Sequence, residues 1–214
     1  MADPVQTAEQ HIPAPISDQR LVKGARARAS IARHAADVAS VEGLTGLSLG
    51  RLASDLGISK SGVATLFGTK EKLQLAAVDA AREIFIEYVV APASTAPRGI
   101  ERLRAYMRHW FDYIDTPVLP GGCFQVAGMA EFDSRPGPVH DALAASRAEW
   151  FTVLEREIGR AQEAGFAAAG TPHAVAFQLD ALISSANTAA RMGEENAIAT
   201  AREIVTALLD RRAE

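Results

Sequence analysis

The sequence predicts an all-α protein. Apolar residues recur at spacings of three and four along most of the 214 residues, which is the pattern of helices that bury one face. Alanine is abundant and runs of β-branched or aromatic residues are scarce, which favours helices over strands. Proline and glycine cluster between the periodic stretches and divide them into about nine helices. No stretch alternates with the period of a strand.

Three helices are predicted in residues 18–68, after an N-terminal arm. Residues 1–17 contain three prolines and no apolar run, and they are predicted to be disordered. The first helix begins near Asp18, capped by Ser17 or Asp18, and ends before Gly43. Two short helices are predicted near 48–56 and 59–67. The residues predicted to face inward from the first helix are Leu21, Arg28, Ile31, Ala35 and Val38.

Six more helices are predicted in residues 69–214. The fourth begins at Thr69 and is stopped by Pro92, and the fifth follows Pro97. Breaks at 117–122 and 136–138 separate a short sixth helix, near 123–132, from its neighbours. A long seventh helix follows, Thr171 and Pro172 begin the eighth, and Gly193 precedes the ninth. The fourth helix is predicted to bury Leu73, Ala77, Ala80, Ile84 and Tyr88, and the fifth Ile100, Leu103, Met107, Trp110 and Ile114.

Composition and charge argue against several classes of protein. The apolar runs are too short to span a membrane, and the N-terminus lacks a signal-peptide core. A single cysteine, Cys123, cannot form an internal disulfide, so a cytoplasmic protein with no membrane partner is predicted. The formal net charge is −4, but residues 18–70 carry +4 and residues 71–214 carry −6. A basic module on an acidic body suits a face that meets phosphates, although chance variation gives differences of this size.

Residues 48–67 have the pattern of a helix-turn-helix that reads DNA. Two short helices that cross at a tight turn need a small residue at the crossing, and Ala53 is there. Gly57 lies in the turn, where a positive φ is favourable only without a Cβ. Val63 packs back onto the first of the two helices, and Ser48 and Ser59 are N-caps. The apolar positions are completed by Leu49, Leu52, Leu56, Ile58 and Leu66. The alternative is an ordinary helical hairpin with a glycine turn.

The same region resembles the TetR/AcrR family of transcriptional regulators. The resemblance rests on a preceding helix, on LASDLGISKSGV at 52–63 and on FGTKEKL at 67–73, and it is specific over about residues 20–75. Over the rest of the chain it rests on length and helix count. It implies a nine-helix plan, with an N-terminal DNA-binding domain at 18–68 and a ligand-binding and dimerisation domain at 69–214. It also implies a repressor that leaves double-stranded operator DNA when a small effector binds.

The third predicted helix would enter the major groove of the operator. Its exposed polar residues, which can contact base edges or phosphates, are Ser59, Lys60, Ser61 and Thr65. Ser48 and Arg51 belong to the second helix, where Arg51 can meet the DNA backbone. Thr69 caps the fourth helix, and Lys70 begins it. A cation opposes the helix dipole there, which makes sense if a phosphate is bound by Lys70 and the free N–H groups together. The alternative for Lys70 is a solvated surface lysine.

The sequence departs from the family at three positions of the third helix. Relatives usually carry an aromatic residue at the position of Ala64, a histidine or aromatic residue near Leu66 and often threonine at Gly62. These departures predict fewer phosphate contacts and a shallower salt dependence of DNA binding. They also motivate a competing hypothesis: a helical ligand-binding protein that has lost DNA binding.

A ligand cavity is predicted between the fifth, sixth and seventh helices. Bulky apolar side chains gather around the two chain breaks, and a mostly apolar pocket with a few polar groups would bind a small, largely apolar effector. The predicted lining residues are Met107, Trp110, Tyr113, Phe124, Met129 and Trp150. The polar groups are predicted to come from Tyr113, His109, Gln125 and Asn187. The alternative for these residues is a packed core.

No cofactor, metal site or catalytic constellation is predicted, so an enzyme is not expected. The five histidines and Cys123 lack metal-ligand spacing, and no nucleophile–base pattern or phosphate loop is found. Glu131 and Asp133 resemble paired carboxylates only superficially, since residues two apart on a helix point to different faces. Cys123 is interpreted either as a buried small apolar residue or as a redox sensor whose thiol pKa is lowered at a helix start.

The last two helices are predicted to form a homodimer interface. The run at 184–190 consists of small residues, which allow close approach of helices. Val205, Leu208 and Leu209 lie near the C-terminus, where a monomer is expected to expose them. The family resemblance implies a four-helix interface between two copies. The alternative is that these helices only close the core of one copy.

Overall fold

The computed structural model describes residues 16–116, 118–166 and 170–210. These residues form nine helices, which confirms the all-α prediction. They are α1 (Ile16–Glu42), α2 (Leu49–Asp55), α3 (Lys60–Phe67), α4 (Lys70–Phe85, continued by a π turn at Ile86–Val90 and by Ala91–Ala93), α5 (Ile100–Asp115), α6 (Phe124–Phe132), α7 (Pro138–Glu163), α8 (Pro172–Arg191) and α9 (Ala197–Leu209). Residues 1–15 of the predicted arm, and the predicted break at Pro117, lie outside the described residues.

The start of α1 differs from the prediction. The helix begins at Ile16 instead of Asp18, so the last two residues of the predicted arm are helical. Leu21 was expected to face inward, but its side chain is 71% exposed, because α1 extends beyond the helices it packs on. Arg28 is also exposed and folds over the end of α3. The later part of the predicted stripe is confirmed by Ile31 and Ala35, which are buried.

The helix-turn-helix has the predicted local structure. The hydroxyl groups of Ser48 and Ser59 accept hydrogen bonds from backbone N–H groups in the first turns of α2 and α3, at 3.1 and 3.0 Å. Gly57 has a φ of +62°, as the turn requires. Ala53 and Val63 are buried where the two helices cross. Ile58 is a correction: it was expected to fill the core, but it lies in the turn and is exposed.

A π turn changes the inward face of α4. Pro92 was expected to stop the helix, but the chain stays helical to Ala93 through the π turn at 86–90. The π turn adds one residue to a helical turn, so the residue after Ile84 that faces inward is five positions on instead of four. Val89 is therefore fully buried, and Tyr88, which was predicted to be buried, is 41% exposed.

One core joins the helices behind the helix-turn-helix. Helix α4 packs on α1 and on α7, and through the π turn on α5. Helix α8 packs on α7 and α9. Within the described ranges, no helix has an apolar stretch long enough to cross a bilayer.

The C-terminal helix corrects one expectation about the dimer surface. Val205, Leu208 and Leu209 were expected to be exposed in a monomer, but all three are buried within a single chain. Because α9 packs on both α8 and α5, its apolar stripe is covered inside one copy. The large apolar residues that α8, α9 and the turn between them expose, in the described part of the chain, are Phe177, Met192 and Ile204.

A buried carboxylate fastens α5 to α7. Glu157 is inaccessible to solvent, and its carboxylate accepts hydrogen bonds from the backbone N–H of Gly99 at 2.8 Å and from Arg160 at 2.6 Å. Burial alone would raise the pKa of Glu157, but the Gly99 N–H and the positive charges of Arg160, Arg102 and Arg156 outweigh burial and lower it. The carboxylate is thus bound more favourably than the carboxylic acid.

This lowered pKa predicts a loss of stability in acid. The contribution of Glu157 is complete above its ordinary pKa of 4.5 and disappears as the pH falls through the lower pKa of the folded state. Glu157→Gln is expected to lower the free energy of unfolding by about 2 kcal/mol at pH 7, and by less at pH 3. Urea unfolding of both proteins at the two pH values measures this. Glu163→Gln, an exposed residue of the same helix, is the control. An equal deficit at both pH values would contradict the argument.

Candidate DNA-binding surface and ligand cavity

All eight side chains predicted to contact DNA are exposed. They lie on α2, α3 and the start of α4, and they are Ser48, Arg51, Ser59, Lys60, Ser61, Thr65, Thr69 and Lys70. The third helix presents Lys60, Ser61 and Thr65 to solvent while Val63 and Phe67 hold its other face in the core. The helix can therefore offer polar groups to a partner without losing its packing.

Several of these groups already have partners within the chain. The hydroxyls of Ser48, Ser59 and Thr69 accept cap hydrogen bonds, and the Thr65 hydroxyl donates to the Ser61 carbonyl at 2.8 Å. Ser48, Ser59 and Thr69 are therefore N-caps of α2, α3 and α4. A hydroxyl that accepts a backbone bond can still donate to a phosphate, so capping and DNA contact are compatible. Lys60 has no ion pair within the described residues, and its ammonium is available to an anion.

Arg51 is neutralised by neighbouring carboxylates. Its guanidinium donates to Asp55 at 2.9 Å and pairs with Glu42 at 3.1 Å. The hydrogen bond and the charge of Asp55 are the main causes that raise the pKa of Arg51. His34 also contacts Asp55, at 3.3 Å. An exposed pair of this kind is weak, so a DNA phosphate can compete for Arg51, but each carboxylate also repels the phosphate.

Lys70 has an intramolecular partner that the sequence did not reveal. Its ammonium donates to the carbonyl of Thr45, in the turn between α1 and α2. On the same turn, the Gln74 side chain donates to the Leu44 carbonyl at 2.8 Å. The start of α4 is thus tied to the turn that precedes the helix-turn-helix. Lys70 remains exposed, so a phosphate contact there is a hypothesis that shares the residue with this structural role.

Arg28 is a residue at this surface that sequence reasoning assigned to the core. Its guanidinium donates to the Leu66 carbonyl at 2.9 Å and lies 4.5 Å from the centroid of the Phe67 ring. It therefore closes the C-terminal end of α3 with a cation near the carbonyl groups, as the helix dipole favours. Its helical spacing matched the apolar stripe, which is why the sequence placed it inward.

A cavity of about 360 Å³ lies behind the helix-turn-helix, within the body. Five of the six predicted ligand-binding residues line it: Trp110, Tyr113, Phe124, Met129 and Trp150. Met107 does not line it, and this is a correction. Its side chain is buried on the same stripe of α5 as Trp110, but one turn earlier, where the core is filled. Of the predicted polar groups, Tyr113 and Gln125 line the cavity and His109 and Asn187 do not.

The cavity also involves helices that the sequence did not implicate. Arg82 and Phe85 of α4, and Asp180 and Ser184 of α8, line it beside the three predicted helices. Arg147 of α7 donates to Asp180 at 2.7 Å and lies 4.1 Å from the centroid of the Phe151 ring. The charged residues were missed because each lies in an ordinary amphipathic pattern. A neighbouring, more open groove of about 430 Å³ shares Arg147 with the cavity.

Aromatic rings form one wall of the cavity. Phe85 packs edge-on against Trp150, with ring centroids 5.1 Å apart, and against Trp110 at 5.7 Å. The two tryptophans contact each other at 5.4 Å. The rings are held by one another, so this wall is rigid compared with an isolated side chain.

Cys123 is a buried wall residue of the same cavity. Burial raises the pKa of its thiol, and this outweighs the Val126 N–H and the Trp110 indole, which favour the thiolate. A reactive sensor thiol needs the opposite shift, so the structure supports the interpretation as a small buried residue. Its backbone N–H donates to the Asn187 side chain at 2.9 Å, which fixes the start of α6 on α8.

Helix α6 connects the cavity to the turn that precedes the helix-turn-helix. Met129 lines the cavity, and two residues later the Glu131 carboxylate accepts hydrogen bonds from the backbone N–H groups of Leu44 and Thr45, at 2.7 and 2.8 Å. The Thr45 hydroxyl also donates to Glu131. Glu131 therefore links α6 to the turn before α2. From the sequence, this residue was considered only as part of a superficial carboxylate pair with Asp133, and the contact was not predicted. Within the described ranges, no three His, Cys, Asp or Glu side chains converge as metal ligands do.

A second contact joins the same two parts. Just before α6, the backbone N–H of Gly121 donates to the Ser40 hydroxyl at 2.8 Å, near the end of α1. The two backbones approach so closely that a Cβ on Gly121 would lie 1.7 Å from the Ser40 carbonyl oxygen. Both ends of the segment 121–131 thus contact the end of α1 and the turn that leads into the helix-turn-helix.

Comparisons with known proteins agree with this architecture. Residues 99–205 match the family model described as tetracyclin repressor-like, C-terminal domain. A TetR transcriptional regulator from Chloroflexus aurantiacus is 23% identical, covers 86% of this chain and 96% of its own, and superposes with a TM-score of 0.76. A TetR-family regulator from Streptomyces coelicolor is 24% identical, with 90% and 97% covered and a TM-score of 0.73. The regulator AibR, in complex with isovaleryl coenzyme A and operator DNA, is 20% identical, with 85% and 98% covered and a TM-score of 0.69. A comparison with curated proteins found no match.

Proposed function

This chain belongs to the TetR family of transcriptional regulators, and we propose that it is a repressor released from its operator by a small, largely apolar effector. The observation that carries the proposal is the bridge made by α6, which lines the cavity and holds the turn before α2 through Glu131. A ligand that displaces α6 would move the helix-turn-helix. The structure of AibR, which holds an acyl-coenzyme A and operator DNA together, gives a precedent for both ligands on this fold.

In this proposal α3 enters the major groove, and Lys60, Ser61 and Thr65 make the contacts with bases and phosphates. Arg51 and Lys70 reach the DNA backbone once phosphates compete with their partners within the chain. In the same proposal, the DNA-binding domain ends at residue 68, and the ligand-binding and dimerisation domain begins at residue 69. The finer roles of these residues are decided by measuring operator binding.

Lys60→Ala is expected to weaken operator binding about tenfold at physiological salt, because it removes the cation of α3, which forms no ion pair with the carboxylates of the described residues. The slope of log K against log salt is expected to fall by about one unit. Mobility-shift or anisotropy titrations with the promoter regions of neighbouring genes, at several salt concentrations, measure both. Arg98→Ala removes one exposed positive charge from the body and is the matched control.

Operator binding by the wild-type protein also distinguishes the repressor from the competing hypothesis, a ligand-binding protein that does not bind DNA. That hypothesis draws support from the neutralised Arg51 and from the absence of an aromatic residue at Ala64. If the dimeric wild-type protein binds none of the promoter regions of neighbouring genes more tightly than random DNA, the repressor proposal is wrong.

We further propose a two-fold homodimer through α8 and α9, which places two α3 helices about 34 Å apart on a near-palindromic site. Phe177 is 56% exposed, and the exposed residues that follow it at helical spacing on α8 are small: Ala181, Ser185 and Thr188. Ile204 and Ala207 are exposed on α9. An exposed aromatic ring beside small residues is a surface onto which a second helix pair can pack closely.

Phe177→Asp is expected to convert the dimer to monomer at micromolar concentration, because it places two charges near the two-fold axis in an apolar interface. Sedimentation velocity measures the change, and circular dichroism checks the fold. Tyr88→Asp alters a similarly exposed aromatic residue outside the proposed interface and should leave the dimer intact. A wild-type protein that sediments as a monomer would remove the basis for the proposal.

A further inference from the structure

Two tryptophans in the cavity wall have polar groups without partners. Trp110 and Trp150 are 3% and 8% exposed, and both line the cavity. Within the described residues, neither indole N–H has a hydrogen-bond acceptor of suitable geometry. The Cys123 sulfur beside Trp110 is only a weak acceptor. Buried donors are normally paired, so these two indicate that an acceptor arrives from outside the chain.

A third donor adjoins them. The Nε–H of Arg147 is also buried and has no acceptor in the described ranges, although another nitrogen of the same guanidinium donates to Asp180. Arg147 lines the same cavity as the two indoles. The lining of this mostly apolar cavity thus includes three N–H donors with free hydrogen-bonding capacity in the described part of the chain. A ligand that fills this cavity gains specificity by presenting acceptors to them.

The charges around the cavity argue against an anionic acceptor. Arg147 is paired with Asp180 at 2.7 Å, and Arg82 is paired with Glu149 at 2.5 Å. Asp133 lines the cavity without an ion pair in the described part of the chain. A carboxylate ligand would therefore meet positive charges that are already neutralised and at least one free carboxylate.

The aromatic wall argues against a quaternary ammonium ligand. A cation of that kind binds over open ring faces. Here the rings of Phe85, Trp110 and Trp150 pack edge to face on one another, with interplanar angles of 83 to 88°. A cation would also leave the indole donors unpaired.

We propose that the ligand of this cavity is a small, mostly apolar molecule with a neutral carbonyl oxygen, as in a ketone, ester, lactone or thioester, which accepts hydrogen bonds from the indole N–H groups of Trp110 and Trp150. The inference rests on the proposed function of the cavity as the effector site. It adds the chemical class of the effector and the two donors that recognise it.

Four probes of similar size test the class directly. They are 2-octanone, its methylidene isostere 2-methyl-1-octene, octanoate and octyltrimethylammonium. Calorimetric titration of the full-length dimer is expected to rank the ketone first, at least tenfold tighter than the alkene, because only the ketone pairs the buried donors. In ¹⁵N-labelled protein the ketone is expected to shift both indole N–H resonances, and the alkene is expected to leave them closer to their free positions.

Conservative variants assign the donors. Trp110→Phe and Trp150→Phe keep a ring and remove the N–H, so each is expected to reduce the preference for ketone over alkene by threefold or more. Tyr106→Phe is the matched control, since Tyr106 packs on Trp150 with centroids 5.4 Å apart but does not line the cavity. The ratio of two affinities for one protein is insensitive to a general loss of packing, so a structural role of the tryptophans would not change it.

The outcomes separate this inference from the proposed function. Equal binding of ketone and alkene, tighter binding of octanoate or the ammonium probe, or no binding of any probe up to its solubility overturns the carbonyl class. Operator binding measured on the same samples is independent of that result. Ketone binding with no operator binding would contradict the repressor while leaving the ligand class standing.

Discussion

Gly121→Ala is expected to lower the free energy of unfolding by roughly 3 kcal/mol or more, because among the described glycines its added Cβ would make the closest contact. The added Cβ would lie 1.7 Å from the carbonyl oxygen of Ser40 and 2.1 Å from its carbonyl carbon. Both are backbone atoms, so no side-chain rotation relieves the overlap. The end of α1 and the segment before α6 must separate, and the hydrogen bond between Gly121 and Ser40 is lost with them.

Gly159→Ala is the control for this experiment. Gly159 lies inside α7, and a Cβ there would meet only Pro172, at 3.9 Å. Alanine in the middle of a helix is expected to stabilise the protein by about 0.5–1 kcal/mol. Urea unfolding of the two variants and the wild type should give shifts of opposite sign. A Gly121→Ala protein as stable as the wild type would mean that the two backbones are not in contact in solution.

Glu131→Gln is expected to free the turn at residues 43–46. The carboxylate accepts bonds from two backbone N–H groups and a hydroxyl, and an amide has one oxygen to replace two. The loss of charge-assisted bonds is expected to cost about 2–3 kcal/mol of local stability. Hydrogen exchange of the Leu44 and Thr45 amides, which is slow when they are bonded, should then accelerate at least tenfold.

The same variant should weaken the link between ligand and DNA. In the wild type, an effector that alters operator affinity does so through a coupling free energy of about 1–3 kcal/mol. In Glu131→Gln, operator affinity with and without a saturating effector should become nearly equal. Asp133→Asn is the control, because Asp133 borders the cavity but, among the described residues, has no hydrogen bond to α1 or to the turn before α2. Unchanged coupling in Glu131→Gln would show that the signal does not pass through the Glu131 contact.

The sequence was a reliable guide to the helix caps, to the turn glycine and to most of the buried helix faces, which depend on neighbours in the chain. The caps at Ser48, Ser59 and Thr69 and the positive φ of Gly57 are local features, and all four are observed. Four of the five residues predicted to face inward from α5 are buried, beginning with Leu103. Five of the six predicted cavity residues line one cavity, because helical periodicity determines which residues share a face of a helix.

The prediction failed wherever structure depends on residues distant in the chain. Glu131 meets Thr45 across 86 positions, and nothing near either residue marks the pair. Arg147 and Asp180 come together in the same way, across 33 positions. Met107 lies on the same face of α5 as the cavity residues. Which turn of that face meets the cavity depends on the neighbouring helices, and the sequence does not show their position. Leu208 looked unpartnered because the sequence does not show that α9 packs on α5.

The π turn at 86–90 has a consequence for how relatives of this protein are aligned. One added residue rotates everything after it by about 100° around the helix axis, which is why Val89 replaces Tyr88 in the core. A relative whose α4 is a continuous α-helix has one residue fewer between Ile84 and Pro92. An alignment without a gap there would compare core positions with surface positions up to the start of α5. Such an alignment would pair the exposed Tyr88 with a buried residue of the relative. A gap of one residue at the π turn restores the correct pairing of buried with buried positions.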